Sequence, residues 1–372
     1  MFAIYMLAGL VKLALGDQHT VILKEDGSLW STAMFDVVSP LDVSPQFAQL
    51  IQSGAKAAAS GSGYSIVLKE FGSVWSMGRN SRGQLGDGTR VRKDKFIFVH
   101  VIPGAKVVAA GYIHSVVLTH TGGVWVSGSN KYGQLGDPST GIYRMRFFEI
   151  LSSGAVAVAT GDFHSMMLKQ DGSLWATGRN RYGQLGDGSH TDRKEFVNVM
   201  SSGGADIAAG GHHSMVIKQN GSVWATGYNQ FGQLGDGSTT DRINYVQVVS
   251  SGAKTVAGGS RHSVMLKEDG SVWATGDNHY GQLGDGSTTK RKIFVQVLSE
   301  GVEAVYTGAF HSMVVKQDGS IWATGSNKHG QFGYDSITFE SKYVRITPFS
   351  DGKENDMIIC TWLNFIFVFL YN

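Results

Sequence analysis

Histidines recur along this chain at one fixed spacing, and a ring of them could bind metal. His19, His114, His164, His213, His262 and His311 each stand eleven residues before a tryptophan, and Tyr64 takes the same place in one copy. Metal ligands must converge within about 2 Å of a single ion. Side chains spread one per repeat around a wide ring do not converge, so hydrogen-bonded structural histidines are expected and no metal. Aspartates in Gly-Asp-Gly or related turns (Asp87, Asp137, Asp187, Asp236 and Asp285) could cradle phosphate or calcium. One carboxylate per turn is better used on its own turn backbone. The His-Ser pairs belong to the repeat and carry no catalytic information. No Walker-type loop and no nucleophile–base–acid set appears, so no cofactor and no enzyme activity are expected. Basic residues follow the Gly-Asp-Gly turns: Arg90, Arg92, Lys93, Lys95, Arg144, Arg146, Arg193, Lys194, Arg242, Lys290, Arg291 and Lys292. They are either a solvated edge with local pairing or a basic crescent for an acidic partner, where charge governs encounter rate and orientation.

The elements that position these residues are repeats. Trp30, Trp75, Trp125, Trp175, Trp224, Trp273 and Trp322 are 45, 50, 50, 49, 49 and 49 residues apart. Nine residues after each Trp but the first comes a glutamine, at Gln84, Gln134, Gln184, Gln233, Gln282 and Gln331, opening GQLGDG or a close variant. A period near 50 marks propellers and solenoids. Each copy holds four short segments bounded by Gly, Asp and Ser, and none has a helical period. In the copy from Gly210 to Gly259 these are 255–257, 214–218, 222–226 and 245–248, with Asn220-Gly221 read as a two-residue hairpin turn. Four antiparallel strands repeated seven times predict an all-β, seven-bladed β-propeller, in preference to an open solenoid. The tryptophans are expected to fill the space between blades. Eight segments could be fourth strands, beginning at Phe2, Phe47, Ile97, Phe147, Phe196, Tyr245, Phe294 and Tyr343. Seven blades take only seven, and the polar pattern favours Tyr343–Ile346 over Phe2–Tyr5 for closing the ring.

The turn between first and second strands and the loop between third and fourth should project from one face. Their residues vary while the frame does not, which is what a non-uniform docking surface needs. The candidates for partner binding are Tyr112, Ile113, Phe163, His212, Arg261 and Phe310 in the turns. Arg82, Lys131, Arg181, His279 and Lys328 stand beside them, and Arg291 and Lys292 come from the basic edge. Aromatic residues and Arg are the usual hot-spot types.

Composition sets bounds. Only 17% of the 372 residues are charged and the net charge is +2, which gives no case for a strongly basic nucleic-acid binder and makes any positive patch a local one. Cys360 is the single cysteine, so no internal disulfide forms and a reducing compartment, cytoplasmic or nuclear, is favoured. The leading MFAIYMLAGLVKLALG aligns with the repeat better than with a signal peptide, lacking a positive leading region. One propeller domain is expected over residues 1–349. An apolar tail follows over 350–372, whose 15-residue apolar run is short of the roughly 20 a membrane helix needs.

Trp-Asp repeats are excluded because Trp is followed here by Ser, Val or Ala, and Kelch repeats because their double glycine does not recur. Gly-x-x-His-Ser, then Leu-Lys-x-Asp-Gly-Ser-Val-Trp, then Gly-x-Asn-x-Tyr-Gly-Gln-Leu-Gly-Asp-Gly resembles the regulator of chromosome condensation repeat, over about Gly54 to Gly333. The resemblance implies the propeller and leaves function open, since the fold hosts many. Its ultraviolet-sensing members carry an extra Trp two positions before the His, which no copy has. The expectation is a non-enzymatic, monomeric scaffold that binds another protein, a small GTPase or an acidic surface, through the loop-bearing face. The alternatives are guanine nucleotide exchange on a Ran-like GTPase and a targeting module of a ligase or kinase assembly. For exchange, the resemblance implies a projecting wedge in one blade, and no copy exceeds its neighbours by more than a residue.

Overall fold

Each repeat closes on itself as a sheet because its four short strands are joined by tight turns. In the computed structural model, which describes residues 11–32, 46–139, 141–334 and 338–347, seven four-stranded antiparallel sheets follow one another in sequence. Blades 1 to 7 span 12–51, 55–101, 105–151, 155–200, 204–249, 253–298 and 302–346. In blade 5 the strands are Gly204–Ala209, His213–Lys218, Val223–Gly227 and Arg242–Val249, innermost to outermost. The architecture is the predicted seven-bladed propeller. Its blades are offset from the sequence repeat by one strand: Ala253–Gly258, which contains 255–257, begins blade 6 rather than completing blade 5.

Two local expectations are corrected. The Asx-Gly hairpins are not two-residue turns. In blade 1, Gly27 N–H donates to Lys24 O and Lys24 N–H to Ser28 O, and only Gly27 takes a positive φ, of 75°. That is a type I turn with a glycine bulge, so Asp26 is free to accept from Ser28 N–H. In blade 2 the fourth strand begins its buried pattern at Phe96, not Ile97. The register sets Phe98 opposite Trp75, where the other blades place a polar or charged residue such as Gln247 or Gln296.

The last blade is completed by Phe339–Ile346, with Arg345 opposite Trp322, as the polar pattern favoured. Phe2–Tyr5 and the apolar tail from 350 lie outside the described residues.

The core is distributed between blades. Trp224 and Tyr245 of blade 5 pack on Met166, Leu168 and Leu174 of blade 4, and each Trp makes the equivalent contact with a neighbouring blade, as expected. In blades 1, 4, 5, 6 and 7 the indole N–H also reaches a serine two residues back, as from Trp224 to Ser222 at 3.1 Å. The leucines of the GQLGDG loops, Leu85, Leu135, Leu185, Leu234 and Leu283, are fully buried. Each contributes roughly 2 kcal/mol of apolar burial and pins its loop into the blade interface.

Histidines stitch neighbouring blades together. Nε2 of His19, His114, His164, His213 and His262 lies 2.9 Å from Oγ of Ser65, Ser165, Ser214, Ser263 and Ser312 in the next blade. In blade 2 the Tyr64 hydroxyl donates instead to the His114 carbonyl and accepts from Ser115. Between blades 7 and 1 the serine position holds Thr20, and the buried His311 Nε2 and Thr20 Oγ1 are both without a hydrogen-bond partner. The glycine at each blade's inner turn makes room for the ring: a Cβ on Gly210 would lie 2.1 Å from His213 Cε1 and 2.5 Å from Gly259 O.

Candidate functional site

The loops joining third to fourth strands in blades 2 to 6 are held by their own side chains. In blade 5, Asn229 accepts from Leu234 N–H at 3.0 Å and donates to Asp236 at 2.9 Å and Thr240 O at 3.1 Å. Asp236 accepts from Ser238 N–H and from Arg242, which lies 2.7 Å away. Burial works against ionisation of Asp236, but hydrogen bonds from Ser238, Arg242 and Asn229 outweigh it and hold the carboxyl below its usual range. The same pairing joins Lys93 to Asp87, Arg144 to Asp137, Arg193 to Asp187 and Arg291 to Asp285. Much of the basic edge is therefore spent on its own turns. Arg291 is one of these paired residues. Lys292 beside it is exposed.

The positive charge and the rings gather elsewhere on this face. Tyr112 and Phe163 lie 5.5 Å apart, Phe163 stacks on His212 at 6.0 Å, and His212 meets Tyr228 at 6.4 Å, which reaches Phe231 at 6.1 Å. A second row joins them: Tyr132 touches Phe163 at 5.5 Å, and Tyr182 sits between His212 and Tyr228 at 5.3 and 4.8 Å. Cations lie on these rings. Arg179 is 5.0 Å from the Tyr132 centroid and 5.6 Å from Phe163, Lys131 is over Tyr132, Arg181 over Tyr182, and Arg261 over Phe231 at 4.7 Å. Burial, then the Arg179 and Arg261 guanidinium groups, push His212 down to about 4, so it is a neutral ring at pH 7.

The structure thus brings together six of the predicted residues, Tyr112, Phe163, His212, Arg261, Lys131 and Arg181, in an arc over blades 3 to 6. Phe310 and His279 form a separate group through Tyr280, with centroids 5.7 and 5.0 Å away. Lys328 lines the central cavity with Phe310. Ile113 is half-buried beside Tyr112, and its carbonyl accepts from Ser129 N–H. Arg82 is exposed in blade 2 and its N–H is held by Gln84. Arg291 is held by Asp285, and Lys292 is exposed on the outer strand of blade 6.

Sequence reasoning missed Arg179, Tyr132, Tyr182, Tyr228 and Phe231. Tyr132, Tyr182 and Phe231 recur at the Tyr of Asn-x-Tyr-Gly-Gln, so they read as framework. Arg179 and Tyr228 occupy the variable place before that Asn, which was the available signal. Inside the arc a central cavity of about 550 Å³ is lined mostly by small residues, glycine the commonest, with Asp17 and Asp162 in its wall. Burial, then the charge of Asp17, pushes Asp162 up to about 7, with Arg179 drawing it back. Asp17 is raised by burial against a Ser62 hydrogen bond and the Arg79 charge. Among the described residues no group of three or more His, Cys, Asp or Glu could hold a metal ion, and no helix is long and apolar enough to cross a membrane.

The profile of the RCC1-like domain matches residues 3–242. Profiles of the regulator of chromosome condensation (RCC1) repeat match 220–266, 269–315, 253–282 and 302–331. No curated protein matches the chain. Among solved structures, human WBSCR16 is 23% identical, covering 82% of this chain and 84% of its own, with a TM-score of 0.73. Yeast RCC1 (Prp20), solved bound to Kap60, is 18% identical over 94% of this chain and 87% of its own, with a TM-score of 0.75. Prp20p of Saccharomyces cerevisiae, described with its binding properties to Gsp1p and histones, is 19% identical over 86% and 83%, with a TM-score of 0.72. At these identities the likeness is one of fold, and it agrees with the sheets and the repeat. The chain belongs to the RCC1-like family of seven-bladed propellers.

Proposed function

We propose that this propeller is a protein-binding module, without catalysis of its own, that docks its partner on the loop-bearing face. The arc from Tyr112 to Arg261 carries the reading. It concentrates rings and arginines, on which binding energy is usually focused, at variable as well as framework loop positions over a frame that does not vary. The loops are locked, so little entropy is lost when a partner settles on them. A protein partner is also in keeping with the relatives, of which yeast RCC1 was solved with Kap60. A cytoplasmic or nuclear setting goes with this reading.

Affinity capture followed by mass spectrometry tests it, comparing the wild type with Phe163→Ala combined with Tyr182→Ala. The substituted protein is expected to lose the main captured partner while keeping its thermal midpoint. The same partner recovered in equal amount from both would overturn the reading.

Nucleotide exchange on a small GTPase is the second reading, favoured by family membership and by the fold shared with Prp20p, described with Gsp1p binding. Against it, the loops joining third to fourth strands in blades 2 to 6 are near-equal in length and carry no inserted element. Release of labelled nucleotide from a Ran-like GTPase above its spontaneous rate would put exchange first. A targeting module of a ligase or kinase assembly would appear in the same capture as a co-purifying catalytic chain.

A further inference from the structure

We infer that the cations held on the arc, Lys131, Arg179, Arg181 and Arg261, form a receptor for an extended acidic segment of a partner protein. This rests on the protein-binding reading and names the partner's chemistry. The contrast with the neighbouring loops is the starting point. There, Lys93, Arg144, Arg193, Arg242 and Arg291 each have an aspartate within ion-pair distance. Among the described residues Lys131, Arg179, Arg181 and Arg261 have none and rest on aromatic rings instead. The carboxylates facing Arg179 and Arg79 at longer range, Asp162 and Asp17, belong to the cavity wall.

A guanidinium laid on a ring keeps its N–H edge free, and that edge matches a carboxylate with two parallel hydrogen bonds. The ring also fixes the side chain in advance, so less freedom is lost on binding. Between these cations run Tyr112, Phe163, His212, Tyr228 and Phe231 in steps of 5.5 to 6.4 Å. An extended segment covers that path in about seven residues at ~3.4 Å each. The inner edge carries Asp17 and Asp162, whose ionised forms repel an anion and whose neutral forms, favoured by burial, offer it no countercharge.

Nucleic acid would bring the same negative charge but needs open ring faces for its bases. Here the rings are covered by one another and by the cations, and the net charge of +2 gives little long-range attraction to a polyanion. An acidic peptide needs only the guanidinium edges and the ring rims.

Fluorescence anisotropy with the full chain tests the inference. The probes are labelled nonapeptides of three Glu-Glu-Tyr units or three Lys-Lys-Tyr units, and an oligothymidylate of similar length. Saturable binding of the Glu-Glu-Tyr peptide is expected, weakening as salt rises. It should weaken at least tenfold in Arg179→Ala combined with Arg261→Ala, and change less than twofold in Arg193→Ala, whose cation is already paired. Should the double variant not fold, Lys131→Glu with Arg181→Glu changes two exposed side chains and is expected to weaken binding at least as much. Equal binding by these variants and the wild type, or tighter binding of the Lys-Lys-Tyr peptide or the oligothymidylate, would overturn the acidic segment. A partner captured through Phe163 and Tyr182 yet indifferent to the arginines would overturn it too, while leaving the docking face in place.

Discussion

Two buried residue types pull the stability of this ring in opposite directions as pH changes. Burial holds His114, His164, His213, His262 and His311 at about 3 and His19 at about 4, against 6.5 for the free side chain. Their folded forms resist protonation, so the stability they permit is complete above pH 6.5 and lost as pH falls toward 3. Each costs about 1.4 kcal/mol per unit below 6.5. Against a typical stability of roughly 5–15 kcal/mol, the set should unfold the protein within about two units. Chemical denaturation of His164→Gln at pH 7 and pH 5 should show a loss between those values about 2 kcal/mol smaller than the wild type's. An equal loss would mean that His164 does not carry its share. Asp162 works the other way. Raised from 3.8 to about 7, it favours the fold below pH 3.8 and progressively less as pH rises through 7. Asp162→Asn should therefore stabilise the protein by a few kcal/mol at pH 8 and make little difference at pH 4, as thermal melts at both values would show. The histidine role was legible in the sequence because one His per repeat could not converge on a metal. The serine across each seam was not, since nothing in a single repeat says which neighbour its side chains meet.

Loops and strands were legible to different depths for the same reason. Glycine and Asp-Gly boundaries marked every strand, yet the blade proved to be offset from the repeat by one strand, because where one sheet ends depends on pairing and not on period. Blade 2 shows how a single residue matters: its Trp-to-Phe96 spacing equals that of blades 4 to 7, and the hydrophobic run through Ile97 and Phe98 hid it. The shift leaves Phe98 about half exposed on the outer strand. The loop lock makes a sharper prediction. Asn229→Ala removes the acceptor of the buried Leu234 N–H as well as the donor to Asp236. A loss of about 1–3 kcal/mol is expected. Arg242→Ala breaks only a partly exposed pair with Asp236 and should cost at most about 1 kcal/mol. Equal losses in urea denaturation would mean that the ion pair, not the amide, fixes the loop.

At the scale of the whole ring, the seam between blades 7 and 1 differs from the rest. Apolar packing there is intact, with Leu13, Ile22 and Phe47 against Met313, Phe332 and Ile346. The histidine–serine bond is missing, because Thr20 stands where the other blades have serine and His311 finds no partner. Thr20→Ser supplies the hydroxyl without the extra methyl and should raise stability by about 0.5–1.5 kcal/mol. An unchanged thermal midpoint would show that the methyl does not hold the hydroxyl away from His311. That the blades number seven was legible in the sequence; that their closure lacks the histidine–serine bond was not, since Thr20 is an ordinary neighbour of His19 until the ring brings blade 7 beside it. The order of events in folding follows from that contact. Each sheet is made of consecutive strands, so a blade completes itself within one short stretch of chain and pays little loop-closure entropy. A chain made from its N-terminus adds blades one after another, each docking on the last through a histidine or tyrosine stitch. The encounter of blade 7 with blade 1 joins the most distant parts of the sequence and comes last, without the histidine–serine bond that other seams have. For part of its synthesis the molecule is an open arc of finished blades, its two flat ends bare of partners, and that is when a chaperone would find it.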